Sequence, residues 1–203
     1  MYILRLALVL FSAQLLGQMS CDEALQNLKD GNIRFATDAS IHPNRVSERR
    51  EELTHTQAPF AAIVGCSDSR VSPEIIFDQG IGDLFIIRVA GNVVGPLEMD
   101  SIDYAAIYLH SCLIVVLGHE NCGAVDAVLK GTTKDIEAVA KLVAPAVKKA
   151  GGGLEATIKA NVQQVVSQIQ ASKTLKPLFD QKKLTVVGGY YNFHTGKVEF
   201  LEK

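Results

Sequence analysis

Several features are scarce in this 203-residue chain, and each scarcity excludes a class of protein. It has no excess of either charge. Twenty Lys and Arg stand against 22 Asp and Glu, for a net charge of -2, and there is no acidic or basic tail. Nothing therefore advertises a nucleic-acid partner. Four cysteines are too sparse for a disulfide scaffold. There is no collagen-like glycine period, no internal repeat and no linker that would split the chain. Aromatic residues are only 6% of the total, and tryptophan is absent. What remains is 48% hydrophobic with little net charge, which excludes a disordered chain. A chain of this length buries a large core without covalent staples, and one compact domain is expected.

The first twenty residues differ from the rest. Arg5 precedes the apolar run Leu6–Phe11, and small residues follow at Gly17 and Ser20. This is the layout of a secretory signal peptide. The run falls short of the ~20 residues that cross a bilayer, so no membrane span is expected. The expectation is a leader over residues 1–20, a single domain over 21–203 and export to the bacterial periplasm. Lipid anchoring at Cys21 is a lesser alternative, because Gln18 occupies a position where a lipoprotein signal usually has an aliphatic residue.

Four apolar runs follow: Ala61–Gly65, Leu84–Val89, Leu113–Gly118 and Leu184–Tyr191. Continuous apolar character implies strands buried on both faces, as in a parallel sheet. A hairpin strand over 197–201 is expected after Thr195-Gly196. Helices are predicted over 22–35, with Asp22 as cap and Leu25, Leu28, Ile33 and Phe35 as the apolar face, and over 96–109, 124–129, 136–150 and 154–172. The charged segment 37–56 reads as solvated surface. Alternating strands and helices give an α/β fold, a mostly parallel central sheet flanked by helices.

Two short motifs each follow a buried strand: Cys66-Ser67-Asp68-Ser69-Arg70 and His119-Glu120-Asn121-Cys122-Gly123. Ligand sites in open α/β sheets collect beyond the carboxyl ends of the strands, so the two motifs can meet there. Cys66, His119 and Cys122 are a Zn²⁺ ligand set, and three protein ligands are the count of a catalytic site that keeps its fourth position for water. A helix starting at Cys122-Gly123 favours the Cys122 thiolate, and Gly123 permits close backbone approach. Arg70 can form a charge-assisted pair with Asp68 and hold it ionised, off the metal. Cys66 and Cys122 alone would also suit a redox pair. Cys112 reads as a small buried hydrophobe. His42, His55, His110 and His194 read as ordinary histidines, and Glu98, Asp100, Asp103 and Glu120 as helix-start or surface charges.

Together these motifs resemble the β-class carbonic anhydrases. The resemblance rests on CSDSRVSPE (66–74), GDLFIIRVAGN (82–92) and GHENCGAV (118–125), and extends from the helix near residue 22 to GGYYNFHTGKVEFL (188–201). It implies one zinc per subunit on Cys66, His119 and Cys122, with Asp68 and Arg70 as a catalytic dyad. In some members the matching aspartate closes onto the zinc as a fourth ligand, which would make Asp68 a ligand in a closed state only. The bicarbonate pocket of such members contains a Trp, so with no Trp here that pocket is not expected in its usual form. The resemblance also implies an N-terminal helical arm wrapped on a neighbouring subunit, and homodimers that sometimes pair into tetramers.

The expected activity is reversible hydration of CO₂ to bicarbonate and a proton by zinc-bound hydroxide, since zinc lowers the pKa of its water to ~7. Asp68 would orient the hydroxide and Arg70 would fix Asp68. The Gly123 N–H would help place substrate or product. CO₂ is apolar, so an apolar pocket is expected beside the metal, with Phe77, Val89 and Ala90 as candidates and Tyr104 reaching in from a partner subunit. The rivals are a hydrolase of CS₂ or COS on the same fold and a non-catalytic zinc or redox module.

Overall fold

A computed structural model of the chain describes residues 19–201. Of the expected leader, residues 1–18 lie outside the described residues. Five strands form one sheet: β1 (Ala61–Gly65), β2 (Leu84–Arg88), β3 (Leu113–His119), β4 (Thr185–Tyr191) and β5 (Val198–Leu201). Their order is β2-β1-β3-β4-β5, with all pairs parallel except the β4/β5 hairpin. Every residue of β1 and β3 is buried, as their unbroken apolar runs demand. Helices α1 (Cys21–Ala36), α2 (Ser47–Glu52), α3 (Pro73–Ile76), α4 (Pro96–Asp103), α5 (Gly123–Leu129), α6 (Glu137–Ala150), α7 (Leu154–Gln170) and α8 (Lys176–Asp180) complete the chain. A π-helical turn, Tyr104–Tyr108, prolongs α4.

The two sheet faces have separate cores. Ala62, Val64, Ile114 and Val116 pack with Val162, Val165 and Ile169 of α7 on one face. Ala61, Ile63, Leu113, Val115 and Leu117 pack with Leu28 of α1 and Ile76 of α3 on the other. This alternation is the period-2 rule acting on strands that are covered on both sides.

The strand order places a functional cleft. The chain runs from β1 outward to β2, then crosses back over β1 to β3. The carboxyl ends of β1 and β3 thus flank the point where connections diverge, which leaves a crevice there.

Two expectations about α1 are corrected. Its cap is Ser20, not Asp22: the Ser20 hydroxyl accepts the Glu23 N–H at 3.2 Å, and the Glu23 carboxylate accepts the Ser20 N–H at 2.8 Å. Its buried face is Ala24, Leu28, Gly31 and Asn32, while Ile33 is 60% exposed. Side-chain volume decides this. A Cβ at Gly31 would collide with the Phe77 carbonyl, so the glycine lets α1 sit directly on the end of α3. Asn32 is tolerated inside because it is satisfied. Its Nδ2 donates to the Ile76 and Gly196 carbonyls at 3.1 and 2.9 Å, and its Oδ1 accepts the Val198 N–H at 2.8 Å.

The segment after α1 is surface, as expected, but it is tied down at Asp78. That side chain is fully buried and accepts the Arg34 Nε–H at 2.7 Å and the Ile41 and His42 N–H groups at 3.0 Å each. Burial alone would raise the Asp78 pKa, but the Arg34 guanidinium and the two amides outweigh it and hold the carboxyl below its ordinary value. A depressed native pKa contributes stability that is complete above the usual carboxylate range near ~4 and is lost as pH falls through the native value. Asp78→Asn is therefore expected to lose about 3 kcal/mol of unfolding free energy at pH 7. Urea titrations should show that gap narrowing as pH is lowered below ~4.

Candidate metal centre

Cys66 is the first residue beyond β1, and His119 is the last residue of β3. Parallel pairing of Gly65 with Leu117 carries the two side chains to the same end of the sheet. The chain then turns through Asn121, at φ 51°, and places Cys122 as the N-cap of α5. The result is a buried cluster in which the Cys66, His119 and Cys122 ligand atoms lie within 4.8 Å of one another.

The donor set fits a thiophilic divalent cation. His119 Nδ1 lies 2.8 Å from the Glu120 carbonyl, a contact in which only a protonated Nδ1 can donate. That leaves Nε2 with a lone pair, and Nε2 is buried with no hydrogen-bond partner. A buried polar atom left unpaired costs ~1–3 kcal/mol, which a metal ion would recover. Two sulfurs and one imidazole nitrogen match Zn²⁺ in ligand type and number.

The sulfurs titrate as a pair. A hydrogen bond from the Cys122 thiol, with the Asp68 and Gly91 amides, holds Cys66 well below an ordinary thiol, against the effect of burial. Cys122 is pushed up by its hydrogen bond to Cys66, by burial and by the Cys66 charge, although the Val125 and Ala124 amides pull the other way. One thiolate forms readily and opposes the second. A cation between them removes that repulsion, because it favours both deprotonated forms.

The Asp68–Arg70 pair is formed. Arg70 Nε donates to Asp68 Oδ1 at 2.9 Å and Nη2 to Oδ2 at 2.8 Å, while the Arg70 backbone N–H also reaches Oδ1 at 3.0 Å. The Arg70 guanidinium holds the Asp68 carboxyl well below the usual range. Oδ2 lies 3.9 Å from His119 Nε2, so the carboxylate borders the ligand cluster while bound to Arg70. Arg70 stacks over the Phe193 ring at 4.3 Å. Arg88, at the end of β2, donates to the Cys66 and Asp68 carbonyls at 2.9 and 2.6 Å and secures the loop between them.

The other expected site residues divide. Val89 packs against the cysteine cluster, and Ala90 is half-buried at the start of the turn that contains Gly91. Gly123 is exposed, with open space where a Cβ would stand. Phe77 is corrected. It is fully buried in the α1 face of the core, 6.5 Å from the Phe200 ring, in a different cluster from the one that includes Cys66 and Cys122. Tyr104 stacks on Tyr108 at 5.5 Å. Glu120 is not a plain surface charge: its Oε2 accepts the Phe193 N–H at 2.9 Å and its carbonyl orients His119. Asp103 is also more than a surface charge, since its Oδ1 is buried and burial raises its pKa.

One contributor gave no signal in the sequence. Asn161, fully buried in α7, donates its Nδ2–H to the Gly91 carbonyl at 2.8 Å. Gly91, at φ 72°, turns its own N–H onto Cys66 Sγ at 3.2 Å. Asn161 thus fixes the peptide that supports the thiolate. Such outer contacts commonly contribute 10–100-fold to metal affinity. Asn161→Leu should keep the fold by circular dichroism and weaken Zn²⁺ binding about 10-fold or more in chelator competition.

Comparison with known proteins agrees with this geometry. The family model described as carbonic anhydrase matches residues 61–198. The chain is similar to a carbonic anhydrase of Mycolicibacterium smegmatis, 38% identical over 187 residues, covering 87% of this chain and 91% of that one. It also resembles carbonic anhydrase 2 of Mycobacterium tuberculosis, 50% identical over 106 residues, about half of each chain. Among solved structures, a Coccomyxa β-carbonic anhydrase superposes with a TM-score of 0.70 at 29% identity, covering 88% of this chain and 86% of that one. The β-carbonic anhydrase CcaA does so with a TM-score of 0.69 at 25% identity, covering 88% and 92%.

Proposed function

The chain belongs to the β-class of the carbonic anhydrase family, and from that premise we propose how its own residues carry out the hydration of CO₂ to bicarbonate. The observation that carries the proposal is the buried Cys66–His119–Cys122 cluster with an unpaired His119 Nε2 beside an Arg-bound Asp68. Cys66 Sγ, His119 Nε2 and Cys122 Sγ would hold one Zn²⁺ per subunit. When bound, such an ion lowers the pKa of its water to ~7 and so supplies a hydroxide-strength nucleophile at neutral pH.

The protein's part is orientation. Asp68, ionised and clamped by Arg70, would accept a hydrogen bond from the attacking oxygen and so orient it toward the CO₂ carbon. Because Arg70 suppresses its basicity, Asp68 holds that proton by hydrogen bonding without removing it. Both Asp68 oxygens accept from Arg70, a pairing that would compete with Asp68 serving as a fourth metal ligand. Val89 and Ala90 form the apolar wall that suits CO₂, and the exposed Gly123 leaves room for bicarbonate to depart.

We propose a homodimer as the working unit, on the strength of exposed Leu97 and Tyr108 at 77% and 70%. We also propose export to the periplasm under a leader within residues 1–20. No helix among the described residues is long and apolar enough to cross a membrane. Cleavage at Ser20|Cys21 would remove the Ser20 cap at a cost of about 1 kcal/mol. N-terminal sequencing of protein from a periplasmic fraction is expected to begin near residue 21, with the leader gone. A cytoplasmic protein with its first residues intact would overturn export.

Stopped-flow CO₂ hydration with a metal count tests the centre. Cys66→Ser is expected to lose zinc and activity together. Asp68→Asn should retain one zinc per subunit and lose activity about 100-fold or more. Wild-type rates in Asp68→Asn would remove Asp68 from the mechanism, and faster turnover of COS or CS₂ than of CO₂ would change the substrate.

A further inference from the structure

The other two cysteines meet at the far end of the sheet. Cys112 directly precedes β3, and Cys21 opens α1. Both line one cavity of about 480 Å³, together with Met19, His110, Lys182 and Lys183. The Cys112 thiol is 3.5 Å from the Met19 carbonyl, two residues before Cys21. Burial, then a side-chain hydrogen bond with Cys21, push the Cys112 thiol up. Both are half-buried, both are free thiols, and neither has a place in the mechanism above.

We propose that Cys21 and Cys112 are an oxidation site: a small-molecule disulfide converts them into a disulfide that staples the first turn of α1 to the start of β3. The reaction is thiol–disulfide exchange. The Cys21 sulfur attacks the reagent, breaking its S–S bond, forming a mixed disulfide and releasing one reagent thiol. Cys112 then attacks the Cys21 sulfur, and the second reagent thiol leaves. Two thiols are oxidised, the reagent disulfide takes up two electrons and both protons, and no other reactant is needed. Cys21 goes first because burial pushes the Cys112 thiol up to about 12.

The staple has a structural target. Among the described residues, α1 opens the chain, and its face carries Leu28 and Asn32 into the core. Its first turn is held by buried Ala24 and by the Ser20–Glu23 cap, which is exposed. A bond from Cys21 to Cys112 closes a loop of roughly 90 residues, and the restriction a cross-link places on the unfolded chain grows with loop length. This site is independent of the metal centre and does not rest on the CO₂ reading. It would also differ in outcome from lipidation, which would consume the Cys21 sulfur.

The experiment uses the full zinc-loaded protein, so that Cys66 and Cys122 are occupied. It is incubated with millimolar oxidised glutathione and digested without reduction. A peptide joining Cys21 to Cys112 is expected, with a mass loss of two hydrogens. The thermal midpoint should rise by several degrees, on the order of 10 °C, and return on adding reductant. Cys21→Ser and Cys112→Ser should each abolish both the peptide and the shift while keeping CO₂ hydration when reduced. Recovery of glutathione adducts alone, of links between molecules through Cys21, or of two unreacted thiols would each overturn the proposal.

Discussion

Two thiols and an imidazole held within 4.8 Å of one another in a protein interior are electrostatically incomplete. One sulfur ionises with help from its neighbours, and its charge then opposes the other. A divalent cation reverses that opposition, since each ligand then gains from being deprotonated. The rest of the molecule is arranged so that this cluster cannot disperse. β1 and β3 pair in parallel, every residue of both is buried, and a slip of register would separate Cys66 from His119.

Around the cluster, each ligand is oriented by a different part of the chain. Cys66 receives the Gly91 amide, held in place from behind by Asn161, and its loop is strapped by Arg88. His119 is set by the Glu120 carbonyl, and Glu120 is itself tied to Phe193 beyond β4. Cys122 sits on the first amides of α5. Asp68 is clamped by Arg70, whose guanidinium sits over the Phe193 ring. These contacts come from β2, α5, α7 and the β4–β5 turn. Sequence-distant elements therefore converge at one crevice, and the strand order is what creates it.

The two ends of the sheet have different tasks. At the carboxyl ends the backbone leaves room, with Gly123 open and Arg70 exposed, as a site for a small substrate requires. At the amino ends of β3 and β4, Cys21 and Cys112 meet in a cavity away from the chemistry. Chemistry and fastening are thereby kept apart.

Much was legible in the residues themselves. The runs 61–65 and 113–118 read as buried strands because nothing polar interrupts them, and the Cys-x-Asp-x-Arg and His-x-x-Cys spacings pointed to a metal-binding set and an Asp–Arg pair because few other roles use those residue types together. Local chemistry is carried by local sequence. Periodicity alone makes Ile33 a core residue of α1, because it does not say which face wins. Gly31 and the fully bonded Asn32 settled that through close contact with the Phe77 carbonyl, the Ile76 carbonyl and the β4–β5 hairpin. Asn161, Glu120 and the Cys21–Cys112 pair were unreadable for a related reason: their partners are dozens of residues away, or are backbone atoms common to every sequence. The chain by itself determined its ligand chemistry and its strands. Only the tertiary structure decided which distant groups orient those ligands, because hydrogen bonds and volume complementarity exist between residues and not within them.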